Sequence, residues 1–400
     1  MGVFFIISRK YYFIYKSTFF NLSSETYRGL NAMSSRPKIL VTSATGKTGL
    51  QTTLQLLEKG FPVRAFVRRR DNRSETLERA GAEICLGNQY SLTDMRAAMD
   101  DVKRAYQCAP GAPNALHFNT VFTVAAFEAG LEHVVTLSQW LASADHPSQM
   151  TRDTYTGDAL IKLRPEMTVT TVNVGWFAEN YLMGLESALH MGVFSMPLGD
   201  GNVKNNAAPS NADIASVVVG ALMDPDTHAG KTYRPTGPEL ISPNEIAAAM
   251  GRALGRKVKY QDVPPKMMLK AIKAINPPDY SVVLLQALKN YTDEYRRGAF
   301  AVNAPTRDVE IVGGRMPENF ESIARRYLTE HPELKPSFAG KLKAIGGFLK
   351  ILITRAPDVE AIEAEKDFVM LKNPKFCLDD AEWNETHTPT RPQLVAGKVA

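Results

Sequence analysis

Between Lys38 and Val174, short apolar runs alternate with longer stretches whose apolar residues recur at helical spacing. KILVT (38–42), PVRAFV (62–67), AEICLG (82–87), VKRAYQ (102–107), HVVTLS (133–138) and MTVTTVNV (167–174) have the length and composition of strands. TGLQTTLQLLEKG, RSETLERAG, SLTDMRAAM, NALHFNTVFTVAAFEAG and TRDTYTGDALIKL fall between them and have the helical period. This alternation predicts βαβ units with right-handed crossovers, hence an α/β, doubly wound parallel sheet. Past Gly175 the regularity loosens. ADIASVVVGALMD predicts a helix, and SPNEIAAAMGRALG another, with Ser242 as N-cap, Pro243 in the first turn and Glu245 closing a capping box. GKTYRPTG and KVKYQDV read as short strands. PPKMMLKAIKAI, YSVVLLQALKNYTDEYRRGAF and PENFESIARRYL (317–328) read as helices. The pattern divides the chain into a sheet domain over 37–175 and a smaller, helix-rich lobe within 176–330.

The flanks break this pattern. MGVFFIISRKYYFIYKSTFF is aromatic and apolar, but Arg9, Lys10 and Lys16 cut it into runs too short to span a bilayer. It reads either as a transit peptide, with Glu25 the only acid before Lys38, or as a stretch ahead of a start at Met33. Residues 1–36 are left out of the fold. Residues 331–400 form an extension. AGKLKAIGGFLKILI (339–353) is a basic amphipathic helix, expected to pack on the body or on a second subunit rather than on a membrane. The polar end, WNETHTPTRPQLVAGKVA, is expected to be disordered.

Candidate chemistry starts at the turn between the first strand and the first helix, Thr42-Ser43-Ala44-Thr45-Gly46-Lys47-Thr48-Gly49. In a Rossmann βαβ unit the backbone must approach a pyrophosphate at the helix N-terminus. Gly46 permits that approach, Gly49 lets the helix lie close to the sheet, and Lys47 adds positive charge. Ser43 stands where the usual pattern has its first glycine, at a position that favours a residue without Cβ. The second strand ends in Arg68-Arg69-Arg70. An Asp or Glu here would hold a ribose 2′-hydroxyl, whereas arginine suits a 2′-phosphate. Asp71 comes late for the ribose acid. NADP(H) is therefore expected in preference to NAD(H), with Arg70 and Arg73 left as solvated loop residues.

Charge narrows the choice of partner. The net charge is +5, but the segment before Lys38 holds five Lys/Arg and one acid and so carries +4 of it. A body of +1 has no general attraction for a polyanion, and no direct nucleic-acid binding is expected. Cys85, Cys108 and Cys377 lie far apart without a CxxC, which fits a reducing, cytoplasmic compartment. The seven histidines form no HxxxH or HExxH, so no metal site is expected.

The chain resembles the NmrA-like branch of the atypical short-chain dehydrogenase/reductases. The stretches that carry the resemblance are ILVTSATGKTG, PVRAFVRR, GNQYSLTDMRAAM, AAFEAGLEHVVTLS, VNVGWFAENYL, the long segment around GKTYRPTGPELISPNEIA, and ENFESIARRYL, together covering roughly 37–330. The family includes NADP(H)-binding redox sensors, bacterial-type quinone reductases and isoflavone-reductase-like enzymes. The resemblance implies a Rossmann domain with a small substrate lobe. By position it implies a pyrophosphate at Thr45, Gly46, Lys47 and Thr48, within a turn shaped by Thr42, Ala44 and Gly49. It implies a 2′-phosphate at Arg68 and Arg69 and an adenine near Asn88, where many relatives have Asp. Ala109 and Pro110 would border the nicotinamide ribose, and Ser138 would face the nicotinamide. Many relatives also have Arg-Pro-Gly where this chain has Asn173-Val174-Gly175.

The Tyr-x-x-x-Lys dyad of typical short-chain dehydrogenases is absent. Tyr155 is followed by Ala159 at the lysine position, and Lys162 lies on another helical face. Two readings follow. One is an oxidoreductase that passes hydride to a small quinone-like acceptor, which needs proximity more than a strong acid. Ser138 and Tyr155 are then the catalytic candidates, with Gln139 nearby and Trp176, Phe177 and Tyr181 either stacking on a flat acceptor or packing as core. The other is a non-catalytic redox sensor acting through a protein partner or as a homo-dimer; a third, of another class, is a membrane-associated adaptor using the basic helix of the extension.

Overall fold

The computed structural model describes residues 36–111, 114–275, 282–365 and 368–388. The leader and the last twelve residues lie outside them. Six strands fall where the apolar runs predict: β1 Ile39–Val41, β2 Val63–Val67, β3 Glu83–Leu86, β4 Arg104–Gln107, β5 His133–Gln139 and β6 Thr168–Val174. The helices that cross between them are α1 Lys47–Glu58, α2 Asn72–Arg79, α3 Leu92–Met99, α4 Ala115–Glu128 and α5 Gln149–Lys162. The rest of the chain adds α6 Leu185–Met191, β7 Val193–Met196, α7 Asn211–Met223, α8 Pro225–His228, β8 Thr232–Tyr233, α9 Pro243–Leu254, β9 Lys259–Asp262, α10 Pro265–Ile275, α11 Val282–Arg297, α12 Asp308–Ile311, α13 Phe320–Glu330, α14 Phe338–Ile353, α15 Val359–Glu365 and α16 Ala381–His387.

The main sheet has the order β3-β2-β1-β4-β5-β6-β8, and every pairing in it is parallel. Its inner strands read as continuous apolar runs because helices cover both faces. In β1, Ile39 and Val41 enter the core under α1 and α7, while Leu40 enters the core under α3, α4 and α5. The strand order reverses between β1 and β4, and in such sheets the crevice at the carboxyl ends beside that switch is where ligands bind. The division drawn at Gly175 is crossed by the chain. After the lobe begins, residues 211–233 return to the sheet: α7 packs on α1, and β8 pairs with β6.

A third core, built around Trp140, Trp176, Tyr181 and Tyr295, fills the C-terminal lobe and its junction with the sheet domain. The capping box of α9 has both halves: Glu245 N donates to Ser242 Oγ (3.3 Å), and Ser242 N donates to Glu245 Oε2 (2.8 Å). Beside it, β7 and β9 make a separate two-stranded parallel sheet.

The polar end corrects the expectation of disorder in its described part. Trp383–His387 lies in a helix, and Trp383 and His387 are buried. Trp383 Nε1 donates to Trp140 O (2.8 Å), Ser143 Oγ donates to Asp380 Oδ2 (2.5 Å), and Cys377 N donates to Glu294 Oε1 (2.6 Å). Residues 376–388 thus form a strap over the loop that follows β5. Helix α14 forms as expected and lies on α6 and α10, yet none of its residues is buried. Among the described residues no helix is long and apolar enough to cross a membrane.

Candidate dinucleotide site

After Val41 the chain turns over the carboxyl end of the sheet before α1 starts. Hydroxyl groups tie this turn to β4 and the residues that follow it. Thr42 Oγ1 donates to Tyr106 O (2.9 Å) and accepts from Cys108 N (2.9 Å). Ser43 Oγ donates to Cys108 O (2.8 Å), and the Tyr106 hydroxyl donates to Thr48 Oγ1 (3.0 Å). Ser43 has φ of 49°, in the left-handed region that usually calls for glycine. That conformation costs about 1 kcal/mol for a residue with a Cβ, and a hydrogen bond such as the one to Cys108 O offsets a comparable amount.

Gly46 is needed for space rather than for torsion. Its backbone is extended, and a Cβ there would stand 2.9 Å from Ser43 O. A Cβ on Gly49 would overlap the same carbonyl. The N-terminus of α1 has no capping side chain and no acid in its first turn. Helices α2, α3, α7 and α9 are capped by Asp71, Ser91, Ser210 and Ser242, while α4 and α5 share the uncapped start of α1 but not its glycine turn. The α1 end therefore keeps its positive pole for an external anion.

Lys47 sits at this end, facing Glu179 on the segment after β6. Burial pushes the Lys47 amine down to about 8, against the pull of the Glu179 carboxylate. The same burial raises the Glu179 carboxyl, whose Oε1 accepts from Asn211 N (2.9 Å). Its Oε2 is buried without a hydrogen-bond partner. The sequence gives no cue to this pairing, since it depends on how the lobe folds back onto α1.

The arginines after β2 divide into different roles. Arg68 and Arg69 are exposed, and Arg69 Nε lies 3.9 Å from Asp71 Oδ2. Arg70 pairs with Glu78 at the surface (2.6 Å). Arg73 corrects the expectation of a solvated residue: it donates to Thr45 O (3.2 Å) and to Asp71 Oδ2 (2.6 Å), bracing the turn from outside. Asp71 is also the N-cap of α2. Asn88 is exposed, and its side-chain oxygen accepts from Tyr90 N (3.1 Å). Ala109 and Pro110 are half-buried after β4.

At the end of β5 the Ser138 side chain is fully buried and its hydroxyl donates to Asp158 of α5. Burial pushes the Asp158 carboxyl up to about 6, against the Ser138 hydrogen bond and the Lys162 charge. Asp158 was not among the sequence candidates. The two hydroxyls that were, Ser138 and Tyr155, have different partners: the Tyr155 hydroxyl donates to Glu382 of the strap (2.7 Å). That bond and burial raise the Tyr155 phenol, the opposite of what a lysine neighbour does in the usual dyad. Gln139 bridges Thr154 (2.8 Å) and Tyr291. Trp176 and Tyr181 are core: Trp176 packs edge-on against Tyr295, and the Tyr181 hydroxyl accepts from Asn206 Nδ2 (2.9 Å).

One group among the described residues has the composition of a metal site: His146, Glu294 and Cys377, all buried, with ligand atoms within 4.8 Å of one another. Its hydrogen bonding argues for a different role. Ser148 N donates to His146 Nδ1 (3.0 Å), so the neutral ring carries its proton on Nε2, which faces Glu294 Oε1 at 3.3 Å and has no lone pair to give. The group anchors the strap instead.

The chain is 30% identical over 271 residues to the NAD(P)H azoreductase of Xenophilus azovorans, a match covering 64% of this chain and 92% of that one. The NADPH-dependent quinone oxidoreductase QOR2 of Escherichia coli, solved with NADPH, shares the fold at a TM-score of 0.62 and 20% identity, over 72% of this chain and 99% of that one. NmrA, a negative transcriptional regulator solved with NADP, superposes equally well, at 0.62 and 18%, over 74% and 98%. The profile of the NmrA-like family matches residues 35–311, spanning the turn, the sheet and most of the lobe, and the chain belongs to that family.

Proposed function

We propose that this protein binds NADP(H) at the turn between β1 and α1 and reduces a small, quinone-like acceptor beside the ends of β5 and β6. The observation that carries the reading is the uncapped N-terminus of α1, fused to a turn too tight for a Cβ at Gly46 or Gly49 and flanked by the arginines after β2. In this reading Thr45, Gly46, Lys47 and Thr48 hold the pyrophosphate, and Thr42, Ala44 and Gly49 keep the turn in shape. Arg68 and Arg69 take the 2′-phosphate, which favours NADP(H) over NAD(H). Asn88 lies by the adenine, Ala109 and Pro110 border the nicotinamide ribose, and Ser138 faces the nicotinamide.

A bound nicotinamide supplies a hydride. Conversion of a quinone to its hydroquinone needs one proton besides. The Asp158 carboxyl, with its affinity for a proton raised, supplies it through Ser138: the hydroxyl, which donates to Asp158 in the structure, turns to give its proton to the acceptor and takes the one on Asp158 in its place. Asp158 takes the place expected of Tyr155, whose hydroxyl is engaged by Glu382. The NAD(P)H azoreductase and the quinone oxidoreductase among the relatives support a small-molecule acceptor.

The test is a stopped-flow trace at the NADPH absorbance with a panel of quinones, beside binding titrations of NADPH and NADH. Quinone-dependent NADPH loss is expected, with NADPH bound more tightly than NADH. Arg68→Ala with Arg69→Ala should weaken NADPH binding roughly tenfold or more and leave NADH unchanged. Equal affinity for both cofactors, untouched by the double substitution, sinks the preference. Tight NADPH binding with no acceptor reduced would leave the redox-sensor reading, which the missing dyad also allows.

A further inference from the structure

We propose that α14, in the extension beyond the family match, is an interfacial anchor that lays the protein on an anionic lipid surface. The inference is independent of what the dinucleotide site does. At 3.6 residues per turn, Gly340, Ala344 and Ile351 share the face turned to α6 and α10, and these are among its partly covered residues. The bulky residues point the other way. Phe338, Leu342, Ile345, Phe348, Leu349 and Leu352 form one stripe facing solvent, and with Ile353 they range from 39% exposed at Ile345 to 85% at Ile353. An ordinary surface helix does the reverse, burying its apolar stripe and showing its polar face. An apolar patch left open on this scale marks an interaction surface.

Charge selects the occupant. The helix holds Lys341, Lys343 and Lys350 and no acid. Lys341 falls just inside one edge of the stripe, next to Phe348, and Lys350 and Lys343 fall beyond the other. Helix α10, beneath it, adds Lys266, Lys270 and Lys273, again without an acid, and Lys270 Nζ donates to Leu352 O (2.9 Å) at the end of α14. Protein interfaces are depleted in lysine. Lysines flanking an apolar stripe suit a headgroup layer, where the stems lie along the acyl boundary and the ammonium groups meet phosphates. The helix is too short to cross the bilayer, so it lies in the interface plane.

The experiment is co-sedimentation of the full chain with phosphatidylcholine vesicles, alone and with roughly a third phosphatidylglycerol. Leu342→Glu with Leu349→Glu removes the stripe, and Lys341→Glu with Lys343→Glu removes charge. These side chains are exposed, so thermal midpoints should match wild type. Pelleting with the anionic vesicles only, weakened by salt and reduced roughly tenfold by either double variant, is the expected result. The proposal is overturned by no pelleting, by pelleting equal on neutral vesicles, or by pelleting unchanged by either double variant. A wild-type dimer in solution that Leu342→Glu/Leu349→Glu makes monomeric, without vesicle binding, overturns it in favour of a second copy on this face.

Discussion

Gly49 admits no side chain because α1 and the turn share the space that a Cβ would take, and the obstacle is backbone. Gly49→Ala should therefore destabilise the protein by about 3 kcal/mol and weaken dinucleotide binding, read by urea unfolding and NADPH titration. Ser43 separates torsion from bonding. Ser43→Ala keeps the left-handed φ and loses the bond to Cys108 O, and should lose about 1 kcal/mol. Ser43→Gly loses the bond but relieves the torsion, and should stay closer to wild type. Asp158 ties stability to pH. Its folded-state value, about 6, lies above the ordinary 3.8, so between those values the unfolded chain releases a proton that the native state keeps. Stability is complete below about pH 4, falls by on the order of 3 kcal/mol as pH rises from there through about 6, and is level above that. Asp158→Asn should abolish that fall in denaturation at acid and neutral pH. It should also flatten the decline of quinone reduction above about pH 6, while a purely structural Asp158 would leave the rate profile unchanged.

At the scale of elements, the strap shows how a short polar helix holds its place. Trp383 stacks on His387, with ring centroids 3.9 Å apart, and both lie against Trp140 and its neighbours. Burial pushes the His387 imidazole down to about 3, from an ordinary 6.5. For a histidine depressed in the fold, the stabilisation is fully present above about pH 6.5 and drains away as pH falls toward 3. Acid should therefore loosen the strap. The three tryptophans are all buried, so their emission should shift red between about pH 6 and 4, and His387→Phe should delay that shift. Trp383→Ala should cost about 3–5 kcal/mol, read by thermal unfolding. Helix α14 depends less on its own propensity: Gly346 and Gly347 stand in open space in its middle, each worth roughly 1 kcal/mol against alanine.

Across the molecule, the sheet domain was legible because its signals are local. Strands covered on both faces read as apolar runs, and glycine-marked turns separate them from helices. The turn and its glycines could be placed for the same reason. Strand β7, VFSM, escaped because it is short, half covered and paired only with β9, far along the chain. Asp158 escaped because nothing in the order of residues says which side of α5 turns to Ser138. The strap escaped because Trp383 and His387 are lone ring residues in polar company, and their partners lie some 240 residues earlier. That last contact bears on synthesis. A ribosome delivers the sheet and the loop holding Trp140 many seconds before residue 383 emerges, at about 5–20 residues per second. Until then the nascent chain can fold its nucleotide-binding half but leaves the ground around Trp140 bare. A product cut short before the strap would carry that bare patch permanently, giving the cell's chaperones and proteases a mark by which to tell it from the finished protein.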